Sequence, residues 1–261
     1  MDLTKTGIYS KDVVEFLVAL NNSDKLEDAF NHLAILVTKL RFDAVAYSAI
    51  PRSLGQPGMF QPVFLSSKDF SKGFLTHYAE AGFWESDFTI DRIGRGIMSP
   101  MHWGKELSGS VMDSGQQDVI RLAQSDYHIR NAITIPTRSD QHVIAGATVI
   151  SSEPRSQFDS LLANHLSILQ YSIFHFHQFV FYRTSTSTVF YQPLLNSFTP
   201  AERALISFIA SGRPLKQSKE ITGISQSRAA NILSSLYDRM GVSNAAELCF
   251  LVGYHRILDR I

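Results

Sequence analysis

The residue types that most often catalyse reactions or bind metals show no catalytic or metal-binding pattern in this chain. The chain has nine histidines and one cysteine. His175 and His177 are two residues apart, which would place their side chains on different faces of a helix. Cys249 lies in an apolar stretch, where a small buried residue is the expected role. No GxSxG, HExxH, P-loop or GxGxxG motif occurs. The sequence therefore predicts no catalytic residue, no metal site and no enzyme.

A second group of residues that could form a functional site combines one acid with several aromatic rings. Asp87 could accept hydrogen bonds in a pocket, cap a helix, or pair with Arg92 or Arg95. The nearby aromatic residues could form the wall of a ligand pocket or plain core, since 11% of the chain is aromatic and must be buried somewhere. These aromatic residues are Tyr78, Phe83, Trp84, Phe88 and Trp103.

Charge is distributed unevenly along a chain of zero formal net charge. From Asn196 to the end there are eight Lys or Arg residues against five Asp or Glu residues, which gives this part a charge of about +3. The excess is a mild indication of nucleic-acid binding. With 261 residues, 44% of them apolar, the chain is long enough for two folded domains.

The N-terminal part alternates between helical and strand patterns. Two helices are predicted first, one around Val13 to Leu20 and one from Asp24 to Leu40. Further helices are predicted over Lys72 to Ala81 and Gln116 to Tyr127. Strands are predicted over Ala44 to Ile50, Met59 to Leu65, Ala132 to Pro136 and His142 to Ser151, with turns at residues such as Pro51, Gly55 and Asp140. The predicted fold is α/β, an α-β-α sandwich with an antiparallel sheet.

A long apolar helix from Gln157 to Tyr182 is predicted to pack on this sheet and on a second subunit. The next residues, 183–197, are rich in Ser and Thr, contain Pro193 and have no helical period, so they are predicted to be a linker. The predicted organisation is a sensor-like and dimerisation domain over 1–182, a linker over 183–197 and an all-α domain over 198–261.

The C-terminal segment contains strong helix-start and helix-stop signals. Thr199, Pro200 and Glu202 form a predicted capping box, and Gly212 stops that helix. A second helix is predicted from Ser225 to Met240. One face of this second helix is polar and is expected to point outward, with Gln226, Ser227, Arg228, Asn231 and Ser235.

The sequence stretches FTPAERALISFIASG, GIS and LYDRMGVSNAAEL in this segment resemble the DNA-binding signature of LuxR-type transcription regulators. The resemblance implies a helix-turn-helix in which the helix from Ser225 to Met240 enters the major groove of double-stranded DNA. Aligned without gaps, Ser218, Lys219 and Thr222 occupy positions that are apolar in the family, and Ile232 replaces a histidine. The preceding helix is therefore either shifted in register, with about three residues lost before Gly223, or distorted.

A further resemblance to the family's autoinducer-binding domain covers Tyr78, Asp87, Trp103 and the stretch IRNAITIP from Ile129 to Pro136. It implies that Asp87 accepts from the amide of an acyl-homoserine lactone and that Tyr78 donates to its acyl carbonyl. Three positions depart from the family pattern. Phe74 stands for a tryptophan whose N–H binds the lactone carbonyl, Phe88 for a proline and Ala132 for a glycine. The predicted ligand-binding residues are Phe74, Tyr78, Asp87, Phe88, Trp103 and Ala132.

These features predict a dimeric, DNA-binding transcription regulator of LuxR type without a cofactor, and a quorum-sensing-like pocket. Its ligand is left open between a molecule resembling the lactone, a different small molecule and none. The alternative is an interaction module whose degenerate helix-turn-helix forms a heterodimer with a related regulator or sequesters it, for example in motility control. No stretch is apolar enough for a bilayer centre, so a cytoplasmic protein without a membrane partner is expected.

Overall fold

Five antiparallel strands form the centre of the N-terminal half in the computed structural model, which describes residues 10–52, 60–104 and 112–261. The strands are β1 (Ala44–Pro51), β2 (Phe64–Ser66), β3 (Met101–His102), β4 (Asn131–Ser139) and β5 (Val143–Ser151). Their order in the sheet is β2-β1-β5-β4-β3. The predicted antiparallel sheet is confirmed.

Seven helices accompany this sheet within the described ranges. They are α1 (Lys11–Asn21), α2 (Leu26–Lys39), α3 (Lys72–Glu80), α4 (Phe88–Gly94), α5 (Ser114–Ser125), α6 (Arg155–Tyr182) and α7 (Thr184–Asn196). Among the described residues, none of the helices combines the length and the apolar character needed to cross a bilayer.

The two faces of the sheet support separate apolar cores. Because side chains alternate along a strand, Val45 and Tyr47 of β1 point to the core that contains α1, α2 and α6. Ala46 and Ile50 point to the opposite core, which contains α3, α4 and α5. All eight residues of β1 are buried. The N-terminal half therefore has the predicted α-β-α layers.

Three details differ from the sequence prediction. The strand expected over Met59 to Leu65 is limited to Phe64–Ser66, and both Met59 and the turn residue Gly55 lie outside the described residues. Helix α4 and strand β3 were not predicted, because seven and two residues are too short to display a hydrophobic period.

The segment 183–197 is helical, so the prediction of an irregular linker was wrong. Hydroxyl groups of this segment donate to backbone carbonyls of the helix or of the residues just before it. Thr186 Oγ1, for example, donates to the carbonyl oxygens of Val180 in the last turn of α6 (2.7 Å) and of Arg183 (2.8 Å). Phe190 is buried in the α1–α2–α6 core, whereas Tyr191, one residue later, is buried in the C-terminal core. Tertiary burial thus stabilises a helix that local propensity does not favour. Where one domain ends and the next begins stays a prediction.

Four helices make up the C-terminal part: α8 (Pro200–Ala210), α9 (Ser218–Thr222), α10 (Gln226–Met240) and α11 (Ala245–Tyr254). The capping box at the start of α8 is confirmed, with Thr199 and Glu202 bonding each other's backbone. Leu205, Leu236 and Leu248 from three of these helices are fully buried in one core.

Helix α11 contacts the turn between β4 and β5. The ring of Tyr254 lies 3.9 Å from that of His142, measured between centroids. The Tyr254 hydroxyl accepts from Arg138 Nη2 at 2.6 Å and donates to Asp140 Oδ2 at 3.3 Å. The C-terminal helices are therefore attached to the β4–β5 end of the sheet as well as to α7.

Candidate functional site

A cavity of about 70 Å³ lies between the sheet and helices α3 and α4. Phe74 and Tyr78 reach it from α3, where their spacing of four residues puts them on one face. Asp87 reaches it from the start of α4, and Trp103 from just after β3. The structure thus brings four of the six predicted ligand-binding residues together.

Phe88 and Ala132, the other two predicted residues, do not line the cavity. Phe88 is buried behind Trp103, with ring centroids 6.3 Å apart, and Ala132 is buried opposite Ile150 in the sheet. Both are core residues in this geometry. Their larger side chains relative to the family's proline and glycine can act on the cavity only through neighbours.

Asp87 is buried and bonded entirely by its own chain. Its Oδ1 accepts from Thr89 N and Thr89 Oγ1, both at 2.7 Å, and weakly from Ile90 N at 3.4 Å. Its Oδ2 accepts from the Tyr78 hydroxyl at 2.8 Å. Asp87 is therefore the N-cap of α4, as the sequence allowed, and it anchors α3 to α4.

The hydroxyl of Tyr78 is already engaged as a donor to that carboxylate. Burial, followed by the nearby Asp87 charge, raises the pKa of Tyr78 well above its ordinary value, so the hydroxyl keeps its proton. A single proton cannot serve both Asp87 and the carbonyl of a ligand in full. A hydrogen bond from Tyr78 to a ligand would therefore weaken its hydrogen bond to Asp87.

Trp103 is paired in a similar way. Its Nε1 donates to Thr134 Oγ1 at 2.9 Å, and Thr134 Oγ1 is 2.9 Å from Thr148 Oγ1. Thr134 and Thr148 are cross-strand partners on β4 and β5, and both line the cavity. Sequence reasoning missed them, although period-two alternation along IRNAITIP could have placed Thr134 on an inward face.

The predicted DNA-contacting residues share one exposed face of α10. The opposite face, with Ala229, Leu233 and Leu236, is buried. Ser225 caps the helix by accepting from Arg228 N at 3.4 Å. The exposed residues are Gln226, Ser227, Arg228, Asn231 and Ser235.

The segment before α10 is a short helix that begins irregularly. It begins as a 3-10 turn over Leu215–Gln217 and continues as α9, which ends at Gly223 with φ of 74°. Ser218, which falls on an apolar family position when the sequences are aligned without gaps, is fully buried, with Oγ donating to Ile224 O at 2.9 Å. A polar residue fits this core because that hydrogen bond satisfies it. Lys216 and Lys219 are exposed on the same segment.

Arg239 joins α10 to α8. Its Nη2 lies 2.9 Å from Glu202 Oε1, and the Glu202 side chain is 7% exposed. Burial raises the pKa of Glu202, but bonds from Thr199 and from Arg239 outweigh it and lower the pKa below its ordinary value. The orientation of α10 is thus tied to the capping box of α8. Among the described residues no group of three or more His, Cys, Asp or Glu side chains is placed to hold a metal ion.

Comparisons with known proteins agree on one family. Residues 25–180 match the family described as autoinducer binding domain. The transcriptional activator protein BjaR1 of Bradyrhizobium diazoefficiens is 21% identical over 255 residues, which are 96% of this chain and 98% of that protein.

Two solved structures of SdiA share the fold. SdiA from Escherichia coli matches with a TM-score of 0.51 and 11% identity, over 94% of this chain and 97% of that one. SdiA in complex with octanoyl-rac-glycerol matches with a TM-score of 0.53 and 12% identity, over 92% of each chain.

Proposed function

This chain belongs to the autoinducer-binding-domain family and is a LuxR-type regulator, and from that premise we propose that it binds double-stranded DNA directly through a C-terminal helix-turn-helix. Its relatives are transcription regulators and not enzymes. The observation that carries the proposal is the amphipathic α10: one face is buried in the C-terminal core, and the other presents five polar side chains to solvent.

Helix α10 is proposed as the recognition helix. Arg228 and Asn231 lie within its first two turns, where the residues of a recognition helix contact base edges. An Arg fork suits the acceptors of guanine and an Asn amide suits adenine. Lys216 and Lys219, just before the helix, are proposed to contact phosphates, which fix position without reading sequence.

We propose further that DNA binding requires no acyl-homoserine lactone. The cavity of about 70 Å³ is far smaller than the ~300–1,000 Å³ of sites for drug-sized ligands. Its polar groups, those of Tyr78, Asp87 and Trp103, bond to one another or to threonines. A ligand such as the octanoyl glycerol bound by SdiA would have to open the cavity and replace these bonds. Phe74 also lacks the N–H that would satisfy a lactone carbonyl.

The proposed partner is a second copy of the chain or a related regulator, bound through α6. From Ser160 to Tyr182 this helix carries no Asp, Glu, Lys or Arg. Its exposed side includes Phe174, which is 47% exposed, and Tyr182, which is 82% exposed. A solvent-facing helix of this length without charge is unusual outside an interface. Two helix-turn-helix units on paired half-sites also bind more tightly than one.

The test is selection of genomic DNA fragments by purified full-length protein without added ligand, followed by titration of the enriched site. Arg228→Ala should weaken specific binding by about 1–3 kcal/mol. The matched control is Arg95→Ala, which removes an exposed arginine just after α4, far along the chain from α10. Failure to enrich any sequence, or an equal effect of both substitutions, would contradict direct recognition by α10 and favour the interaction-module alternative.

A further inference from the structure

A second cavity, of about 260 Å³, lies where the end of strand β4 meets α7 and the residues after α11. It is larger and more polar than the cavity near Asp87. Three arginines, three aromatic residues and two hydroxyl residues surround it: Arg138, Arg256, Arg260, Phe181, Tyr191, Tyr254, Thr184 and Ser187.

The three guanidinium groups are incompletely neutralised. Arg138 Nε bonds Asp140 at 2.6 Å, and Arg256 Nε bonds Asp259 at 3.0 Å. Within the described part of the chain, no Asp or Glu lies within ion-pair distance of Arg260. Burial lowers the pKa of Arg260, which indicates a cation removed from water. The cavity therefore has a local excess of positive charge.

Two of these arginines, Arg260 and Arg138, are held in place before any ligand arrives. Arg260 lies over the ring of Tyr191, 4.1 Å from its centroid, and Arg138 lies 5.2 Å from that of Phe181. Arg260 also donates from Nη1 to Thr188 Oγ1 at 2.7 Å and from Nη2 to Ser187 Oγ at 2.9 Å. A guanidinium group that is already held in place loses little conformational entropy when it binds an anion. Its affinity for the anion is therefore higher than that of a mobile side chain.

The start of α7 adds neutral donors at the same place. This helix of 13 residues begins without a side-chain cap, so its first backbone N–H groups have no partner within the helix. Thr184 is its first residue, and Thr184 Oγ1 is buried without a hydrogen-bond partner in the part of the chain that the structure describes. An uncapped helix start favours negative charge.

We propose that this cavity binds a small phosphate-bearing anion. Arginine forks and helix-start N–H groups are the donors that phosphate oxygens prefer. The volume is below that of drug-sized sites, which fits a small anion. The lining comes from β4, the end of α6, α7, the end of α11 and the residues after it. A bound anion would therefore hold the sheet against the C-terminal helices, so that its concentration could affect the position of α10.

The test is calorimetric titration of full-length protein with pyrophosphate at pH 7 and constant ionic strength, with citrate as the comparison anion. We expect saturable binding of pyrophosphate and much weaker binding of citrate. Arg256→Gln should weaken pyrophosphate binding by about tenfold or more, since one charged hydrogen-bonding group is lost. Arg256 is exposed, so this variant should fold, and its thermal unfolding checks that it does.

The matched control is Arg95→Gln, which also removes an exposed arginine paired with an aspartate, but at the C-terminal end of α4. It should bind pyrophosphate as the wild-type protein does. Three results would overturn the proposal: no saturable binding up to about 1 mM pyrophosphate, equal weakening by both substitutions, or citrate binding as tight as pyrophosphate. Displacement of pyrophosphate by duplex DNA would also overturn it, since the cavity would then be part of the DNA surface.

Discussion

His177 should make the protein markedly less stable in mild acid, and His177→Asn should remove this residue's share of the acid sensitivity. The ring is 3% exposed on α6, with Nδ1 2.7 Å from the Tyr47 hydroxyl. Burial, with a smaller contribution from Arg138, lowers its pKa from 6.5 to about 3. Below pH 6.5 the histidine is protonated in the unfolded chain but stays neutral in the folded chain. The stability that neutral His177 allows is therefore present above pH 6.5 and is lost as the pH falls towards 3.

The magnitude follows from the separation of the two pKa values. At about 1.4 kcal/mol per pH unit, moving from pH 7 to pH 4.5 should cost about 2.5 kcal/mol through His177 alone. The free energy of unfolding would be measured by urea titration at both pH values. Tryptophan fluorescence is a suitable signal, because Trp84 and Trp103 are the only two tryptophans and both pack in the N-terminal half.

The comparison that isolates the histidine is the change in unfolding free energy between the two pH values. This change should be about 2.5 kcal/mol smaller in His177→Asn than in wild type. Ile173→Val, a buried change on the same helix without a titrating group, should lower stability equally at both pH values. An equal loss in His177→Asn and wild type would refute the reasoning that buried neutral His177 is the sensitive group.

Three further substitutions test the polar contacts described above. Glu202→Gln should cost about 1–2 kcal/mol at pH 7 by urea titration; because the Glu202 pKa is lowered, the difference from wild type should shrink as pH falls through that pKa, and a constant difference would contradict the assignment. Asp87→Asn should cost about 1–3 kcal/mol and expose the start of α4 to amide exchange, since Tyr78 and Thr89 lose a charged acceptor; unchanged exchange there would argue against the cap. Trp103→Phe should cost about 1 kcal/mol in thermal unfolding, with Thr134→Val removing the same bond from its other end; fully additive effects in the double variant would mean that the two side chains do not interact.

Much of the fold could be predicted because local patterns and tertiary packing agree. Helices α2 and α10 have clear hydrophobic periods, the strand from Ala44 is an apolar run that ends at Pro51, and the cap at Thr199 has all its parts in sequence. The helix over Thr184–Asn196 could not be predicted, since Ser and Thr disfavour it locally. It forms because Phe190 and Tyr191 are buried in two different cores.

Four of the six predicted ligand-binding residues line the candidate cavity, but the hydrogen bonds that they form could not be predicted. Spacing placed Tyr78 and Asp87 close together, and they do bond at 2.8 Å. Spacing alone could not decide whether the hydroxyl would serve Asp87 or a ligand, because this depends on rotamers and on the start of α4. The role of Thr134 depends on its register against Thr148, which is set by the whole sheet.

In the proposed DNA-binding dimer, helix α7 and the contact of Tyr254 on the β4–β5 turn would limit the half-site separations that the two recognition helices can reach. A flexible tether lets two recognition helices adjust to half-sites at several separations, with an entropic cost that grows slowly with length. Here a helix anchored in two cores replaces the tether. In the proposed dimer the distance and rotation between the two copies of α10 are therefore fixed before DNA arrives. Such a protein would bind tightly only when the half-sites have the right spacing as well as the right sequence. Inserting half a helical turn, about five base pairs, between the half-sites should therefore reduce DNA affinity as much as mutating the half-sites does.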